Sequence, residues 1–397
     1  MKIALVLCGG GSLGSYEIGA IKKLVEKGIQ FDIVTGTSIG ALNGYFVATE
    51  QFEKAIELWE TIKNDDVFRW GVENRGKAIS DAFLNRDRKN PVNQTVAMLG
   101  SLALHQGIDN KPYIDTLTKM IDPSLIKKSP IKMGLIYTTF PGMKEQRAIL
   151  NQVNENRVLD YLFATSACFP VFPPHKIAGK NYIDGGWTNN LPIDFAFDLG
   201  ADYVYAIMLH SFPYTPQKPE YFHLPNVTLI EQSQDMGMMM DFDKKRIANN
   251  LELGYLDCGR VLGDYKGKRY AFKKDDLGEQ AHRFVLALEQ KDIRTYKDAL
   301  ALLSIKEEHP SEEALVLAAL EHLAKLYSIS PYHAYGIKEM QCLIEERITS
   351  YNPKDPKKAN QLKLYLKERS EGKDLPFPKG IRYGSVYAIL AKGISAQ

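Results

Sequence analysis

Lys2-Ile3-Ala4-Leu5-Val6-Leu7-Cys8-Gly9-Gly10-Gly11 is the stretch whose reading decides the fold. A short, β-rich apolar run ends in a cluster of glycines, as a buried parallel strand does when it enters a tight loop. After the loop, Tyr16 to Lys27 places Ile18, Ile21, Leu24 and Val25 on a helical period, and Gly28 stops the helix. A second short strand, Phe31 to Val34, leads into Gly36-Thr37-Ser38-Ile39-Gly40, and Ala41 to Phe46 begins another helix. Strand, helix, strand, helix in about fifty residues predicts an α/β fold with a mainly parallel sheet covered on both faces.

The bulk properties narrow the function classes. A chain of 397 residues exceeds one ordinary core and implies two or three domains. Its 45% hydrophobic and 25% charged residues make a globular mixture. A net charge of +2 gives no reason to expect nucleic acid as a partner. Cys8, Cys168, Cys258 and Cys342 form no C-x-x-C pair, so they read as reduced thiols of a cytoplasmic protein, neither a disulfide framework nor a zinc site. Leu5-Val6-Leu7-Cys8-Gly9 imitates a lipid-attachment box, but the apolar run from Ile3 is shorter than the roughly 7–15 residues of a signal peptide's core. No stretch reaches the roughly 20 apolar residues of a membrane span.

Further along, residues 51–130 read as mostly helical and polar, with interruptions around Phe68, Trp70 and Arg75. Gly134 to Thr139 is a strand, and Val158 to Ala167 a helix that runs into the loop Pro170 to Pro174. Lys176 to Ile183 reads as a hairpin around Gly179, ending at Asp184-Gly185-Gly186, and Ala201 to Leu209 is a strong strand. After about residue 265 glycines thin out and helical periods dominate. Ser311 caps a helix through Leu315, Leu320, Leu323 and Leu326, and Asn360 to Arg369 is another. This change of texture divides the chain into residues 1–267 and a helical C-terminal region, 268–397.

Two motifs carry chemistry, and each has competitors. Gly9, Gly11 and Gly14 satisfy G-x-G-x-x-G, the dinucleotide fingerprint of a nucleotide-dependent oxidoreductase. That fingerprint also requires an acidic residue at the far end of the second strand, where this chain has Val34-Thr35-Gly36, and Asp32 lies at the wrong end. The blander reading is that the glycines serve only a tight strand-to-helix turn. Gly36 to Gly40 reads G-x-S-x-G, a pattern that holds a serine hydroxyl on a strained elbow. Ser38, Asp184 and His210 even occur in the order of a Ser-Asp-His esterase. Yet that fold places its elbow after several strands, and His210 reads better as the polar end of the strand before it.

Taken together, the glycine loop Gly9-Gly10-Gly11-Ser12-Leu13-Gly14, the elbow Gly36 to Gly40 and Asp184-Gly185-Gly186 resemble the patatin-like phospholipases. The likeness runs in order over about the first 265 residues. Gly107-Ile108-Asp109-Asn110-Lys111-Pro112, Ala164-Thr165-Ser166-Ala167, Pro170, Phe172-Pro173 and Asn190-Leu191-Pro192 add to it. The resemblance implies a three-layer α/β/α domain and a Ser–Asp dyad, with Ser38 as nucleophile and Asp184 as general base. It implies an oxyanion loop spanning Gly9, Gly10, Gly11 and Gly14, with the N–H groups of Gly10, Gly11 and Ile39 facing the oxyanion, and no metal or organic cofactor. Many members carry Arg or Lys where this chain has Leu13.

The expected partner is a lipid or phospholipid ester. Phe169, Phe172, Met236, Met238, Met239 and Met240 are available to line an apolar slot, although such a methionine cluster is more often core. Six Lys or Arg against two acidic residues between Lys354 and Arg369 suit a solvated helix face, with peripheral contact to an anionic membrane as the alternative. A non-catalytic lipid-binding or interaction protein on the same fold is the competing functional class.

Overall fold

The computed structural model describes residues 1–67, 109–211, 218–274, 281–282, 303, 305, 307 and 310–350. Phe68, Trp70, Arg75, Gly107, Ile108, the basic stretch Lys354 to Arg369 and the helix expected over Asn360 to Arg369 lie outside the described residues. Two compact units divide the chain, Met1–Val261 and Leu262–Gln397.

The first unit is built on an eight-stranded sheet: β1 (Ile3–Leu7), β2 (Ile33–Thr37), β3 (Lys132–Phe140), β4 (Glu145–Ile149), β5 (His175–Ile177), β6 (Lys180–Asp184), β7 (Tyr203–Met208) and β8 (Val227–Glu231). The order is β5-β6-β3-β2-β1-β7-β8, with β4 also on β3. Strands β3, β2, β1, β7 and β8 run parallel, and β4, β5 and β6 supply the antiparallel pairings. Ala4 to Leu7 and Ile33 to Thr37 are wholly buried, as central parallel strands must be when helices cover both faces. Helix α2 (Ile39–Ala48) lies on one face, where a side chain at Gly44 would meet Val34, Leu7 and Met133. A short helix, Ile193–Asp198, lies on the other, its Phe195 ring filling the space above Gly134. Residues 133 and 134 are neighbours in a strand and so face opposite ways. The expected mixed α/β architecture is therefore what forms.

One register decides where the chemistry sits. Tyr137 and Thr138 of β3 pair with both β4 and β6, so those two strands occupy opposite edges of β3. Residues 134–136 pair with both β4 and β2, so β2 and β6 share one edge, end to end. Strand β2 leaves that edge at Thr37 opposite Ile136, and β6 takes it over with Asp184 opposite Tyr137. The residue after Thr37 is Ser38. Residues 146 positions apart in the sequence are thus delivered to one point by adjacent rungs of a single strand.

The sequence reading finds β1, β2, β3 and β7, and the β5–β6 hairpin, whose two turn residues Ala178 and Gly179 both have positive φ (48° and 82°), as a two-residue hairpin turn demands. It misses β4 and β8 and the helix Lys244–Val261. β4 is a charged edge strand, Glu-Gln-Arg-Ala-Ile, without a clear alternation. The Lys244–Val261 helix crosses α1 (Gly14–Glu26) at backbone distance: a Cβ at Gly19 would lie 1.8 Å from the Leu251 carbonyl oxygen, and one at Gly254 1.9 Å from that of Tyr16. Such a helix owes its place to a groove on a distant partner, which local periodicity does not report.

In the second unit Ser311 caps the helix Glu312–Leu326 by accepting from the Ala314 N–H at 3.2 Å, as expected. Leu315, Leu320 and Leu323 face a core completed by Tyr270, Phe272, Ile337, Met340 and Ile344, whereas Leu326 is exposed. A two-stranded parallel pairing, Ala271–Phe272 with Ala334–Tyr335, accompanies the helices. Glu321 binds the turn before it: one carboxylate oxygen accepts the N–H groups of Lys268, Arg269 and Tyr270 at 2.6, 2.6 and 3.0 Å.

Candidate active site

Ser38 sits between the end of β2 and the start of α2 with φ 55° and ψ −126°. That region is sparsely populated for a residue with a side chain, and holding it there costs on the order of 1–3 kcal/mol. The surroundings enforce it. A Cβ at Gly36 would stand 2.7 Å from the Gly40 carbonyl and the Ala41 nitrogen, and one at Gly40 2.7 Å from the carbonyl oxygens of Leu7 and Cys8. Both motif glycines therefore exist so that the start of α2 can lie against β1 and β2. The Ser38 N–H donates to Thr165 Oγ1 at 2.9 Å, and that hydroxyl donates to the Ile136 carbonyl. Thr165 thus ties the elbow to the strand that sets its register.

Asp184 is only 6% exposed. Its carboxyl accepts the Gly186 N–H at 2.7 Å and lies close enough to Ser38 for that side chain to lower its affinity for a proton. Burial pushes the carboxyl up to about 6, and the Ser38 side chain and the Gly186 N–H pull against that rise. The backbone N–H of Asp184 is held by Ala167 O at 2.9 Å. Gly185 lets the chain pass over β3, since a Cβ there would lie 2.3 Å from Ile136 O. A short 3-10 turn, Gly185–Trp187, follows and leaves the Trp187 ring 41% exposed.

The glycine loop faces Ser38 from β1. A Cβ on Gly9 would lie 3.2 Å from Ser38 Cβ. Of the loop's amides, Gly9 N–H donates to Asn190 O at 3.2 Å, and Gly14 N–H donates to Gly11 O and Ser12 O. Those two donors, expected from the resemblance to belong to the oxyanion loop, are already bonded within the protein. Gly10, Gly11 and Ile39 are different, because their N–H groups have no hydrogen-bond partner among the described residues. Free donors on the loop that faces Ser38, and on the residue that follows it, suit a developing negative charge.

Leu13 is buried, so no cation anchors the loop at that position. Neutral hydrogen bonds do so instead. Ser12 donates its N–H to Met239 O at 2.7 Å and its hydroxyl to Met238 O at 3.0 Å. Gly9 O accepts from Ser211 Oγ at 2.9 Å and Asn190 Nδ2 at 3.1 Å. Asn190 thereby joins the loop to the chain that carries Asp184. Thr165, Asn190 and Ser12 were quoted in the sequence only as parts of motifs, and spacing alone assigns them no bond. Met236 is core, while Met238, Met239 and Met240 are half-buried beside the loop. Phe172 is buried and stacks on Tyr113 at 5.8 Å, and Phe169 packs on Phe140 at 4.8 Å. His210 is half-exposed, and its Nε2 lies 3.3 Å from Glu231 Oε1, which raises the imidazole's affinity for a proton.

Residues 5–197 match the family model of the patatin-like phospholipases, and this part of the chain is a domain of that family. A patatin-like phospholipase domain-containing protein of Caenorhabditis elegans is 28% identical over 209 residues, 52% of this chain and 16% of that protein. Lysophospholipase nte1 of Aspergillus terreus is 28% identical over 219 residues, 54% of this chain and 12% of its own length. Patatin-like phospholipase domain-containing protein 7 of Rattus norvegicus is 29% identical over 212 residues, 53% and 14% respectively. The chain thus spans a small part of the length of these relatives. Among solved structures, VipD from Legionella pneumophila is similar with 12% identity and a TM-score of 0.39, covering 99% of this chain and 91% of that one. No helix among the described residues is long and apolar enough to cross a membrane.

Proposed function

We propose that this chain is a serine lipid acyl hydrolase working through a Ser38–Asp184 dyad. The observation that carries the reading is the register that sets Ser38, on a strained elbow, next to the buried carboxyl of Asp184 and a loop with N–H groups unpartnered among the described residues. A serine hydroxyl is a poor nucleophile until a neighbour takes its proton. Asp184, with its carboxyl pushed up to about 6, holds a proton far better than an ordinary aspartate and is still ionised at neutral pH. It takes the Ser38 proton as Oγ attacks the ester carbonyl carbon. The electron pair of the C=O bond moves onto its oxygen, which the N–H groups of Gly10, Gly11 and Ile39 receive.

Collapse of that intermediate breaks the ester C–O bond. Asp184 returns the proton to the leaving alcohol, and the acyl group stays on Ser38. Water then gives its proton to Asp184 and attacks the acyl-enzyme, and Ser38 leaves with that proton as the fatty acid departs. Atoms and charge balance with one carboxylate acting first as base, then as acid, in each half. Phospholipids and lysophospholipids are the substrate classes that the family favours.

A fluorophosphonate probe tests the reading and separates it from a lipid-binding protein without catalysis. Wild type is expected to label and Ser38→Ala not to. Equal labelling of the two would remove Ser38 as nucleophile, and a wild type that neither labels nor turns over lysophospholipid would leave the binding reading in place.

A further inference from the structure

Glu17, on the first turns of α1, is fully buried with 0% exposure, and among the described residues its proton affinity is set by burial, Asn43 and the Cys8 N–H. Its two carboxyl oxygens are both used as acceptors. Oε1 takes the backbone N–H of Cys8 at 2.7 Å, and Oε2 takes Asn43 Nδ2 at 2.8 Å. Cys8 is the last residue before the glycine loop. Asn43, on α2, also donates to the carbonyl of Gly14, the loop's last residue, at 3.0 Å. Trp59 Nε1 donates to Asn43 Oδ1 at 2.9 Å and so fixes which way the amide points. A single acid therefore reaches the chain just before the loop directly and its far end through one amide that is itself anchored to the helix behind Ser38.

An isolated buried carboxyl is costly, and burial pushes this one up to about 8. A core that needed only volume here would be better served by methionine or leucine. The acid makes sense where the N–H at the start of the loop and the amide that holds its end must be kept at a fixed distance. Glu17 touches neither Ser38 nor any atom a substrate would reach, and it plays no part in the proton transfers above.

Resting on the dyad reading, we infer that Glu17 is a positioning residue: its carboxyl holds Cys8 directly and Gly14 through Asn43, and so aims the Gly10 and Gly11 N–H groups at the developing oxyanion. Donors misplaced by about 1 Å are enough to cost roughly a hundredfold in rate.

The test compares Glu17→Met, which keeps volume and removes both acceptors, with Glu17→Gln, which keeps one. Three readouts are taken: hydrogen exchange over Cys8–Gly14, the rate of fluorophosphonate labelling, and kcat against KM for a short p-nitrophenyl ester. Expected for Glu17→Met are exchange at Cys8 at least about tenfold faster and labelling and kcat about a hundredfold lower, with KM within about twofold. Glu17→Gln should fall between it and wild type in both exchange and labelling. Wild-type exchange and labelling in the Met variant would overturn the clamp, as would equal losses in the Met and Gln variants, which signify a packing defect. Should Glu17→Met not fold, the Gln variant decides: faster exchange with a kcat loss supports the clamp, and wild-type values in both refute it. Exchange needs no activity, so an unlabelled wild type would sink the dyad reading while leaving the clamp to be judged on exchange alone.

Discussion

Asp184 in the first unit and Glu321 in the second are both buried carboxyls that accept backbone N–H groups from glycine-containing turns, yet their surroundings assign them opposite work. Among the described residues Glu321 accepts from the fixed amides of Lys268, Arg269 and Tyr270. Those donors cannot give up a proton, so the carboxylate acts as a strut that ties a turn to a helix. Asp184 has one such amide, from Gly186, and in place of the others it has the side chain of Ser38 beside it. A hydroxyl can be deprotonated, and a carboxyl raised by burial is a base strong enough to do it. The difference between a structural acid and a reactive one lies in the chemistry of the donor as much as in the depth of burial.

The sharpest way to break this contrast is at Ser38. Ser38→Ala removes the hydroxyl and should abolish labelling and ester turnover while the fold, read by circular dichroism, survives. Next comes Asp184→Asn, expected to lower kcat by ~100- to 10,000-fold, the usual scale of a lost general base. Near-wild-type turnover in that variant would sink the dyad. Glu321→Ala leaves three backbone N–H groups without a partner and should cost about 2–4 kcal/mol of stability in the second unit, with turnover per folded molecule within about twofold. A large kcat effect there would erase the distinction drawn above.

The pH dependence sharpens it further. The wild-type labelling rate should fall about tenfold per unit as pH drops below about 6, because only ionised Asp184 accepts the Ser38 proton. Stability should move the opposite way. A carboxyl raised from 3.8 to about 6 in the folded state binds more protons folded than unfolded between those values. Its contribution to stability therefore declines as pH rises from about 4 to about 6 and is level above. Asp184→Asn lacks that decline, so in thermal melts the variant should gain on wild type between pH 4 and pH 7, by up to about 3 kcal/mol. The smallest effect is expected at His210, whose partner is Glu231. His210→Ala should change turnover by less than about twofold, and a collapse would restore the histidine triad.

Much of this site was legible in the primary structure. Glycines at 36 and 40 around Ser38, the loop from Gly9 and the Asp184-Gly185-Gly186 turn are short motifs whose residue types are dictated by local sterics, and sterics leave a local signature. Strands β1, β2, β3 and β7 were legible because buried parallel strands are uninterrupted apolar runs. Where the reading stopped, the cause was long-range. β4 is a charged edge strand, and the Lys244–Val261 helix is placed by close contact with α1 at Gly19 and Gly254. The idle amides of Gly10, Gly11 and Ile39 and the spent ones of Gly9 and Gly14 look alike in sequence, since a glycine's N–H carries no mark of what will accept it.

Sequence alone determined that a parallel α/β unit begins this chain and that a serine elbow, a glycine loop and an aspartate turn belong to it, because each motif is a local solution to a local backbone problem. The tertiary structure decided how they meet. It placed β2 and β6 end to end along one edge of β3, brought Asp184 to Ser38 across 146 positions, and buried Glu17 between the two ends of the glycine loop. Register and burial are properties of the packed sheet, and no single segment contains them.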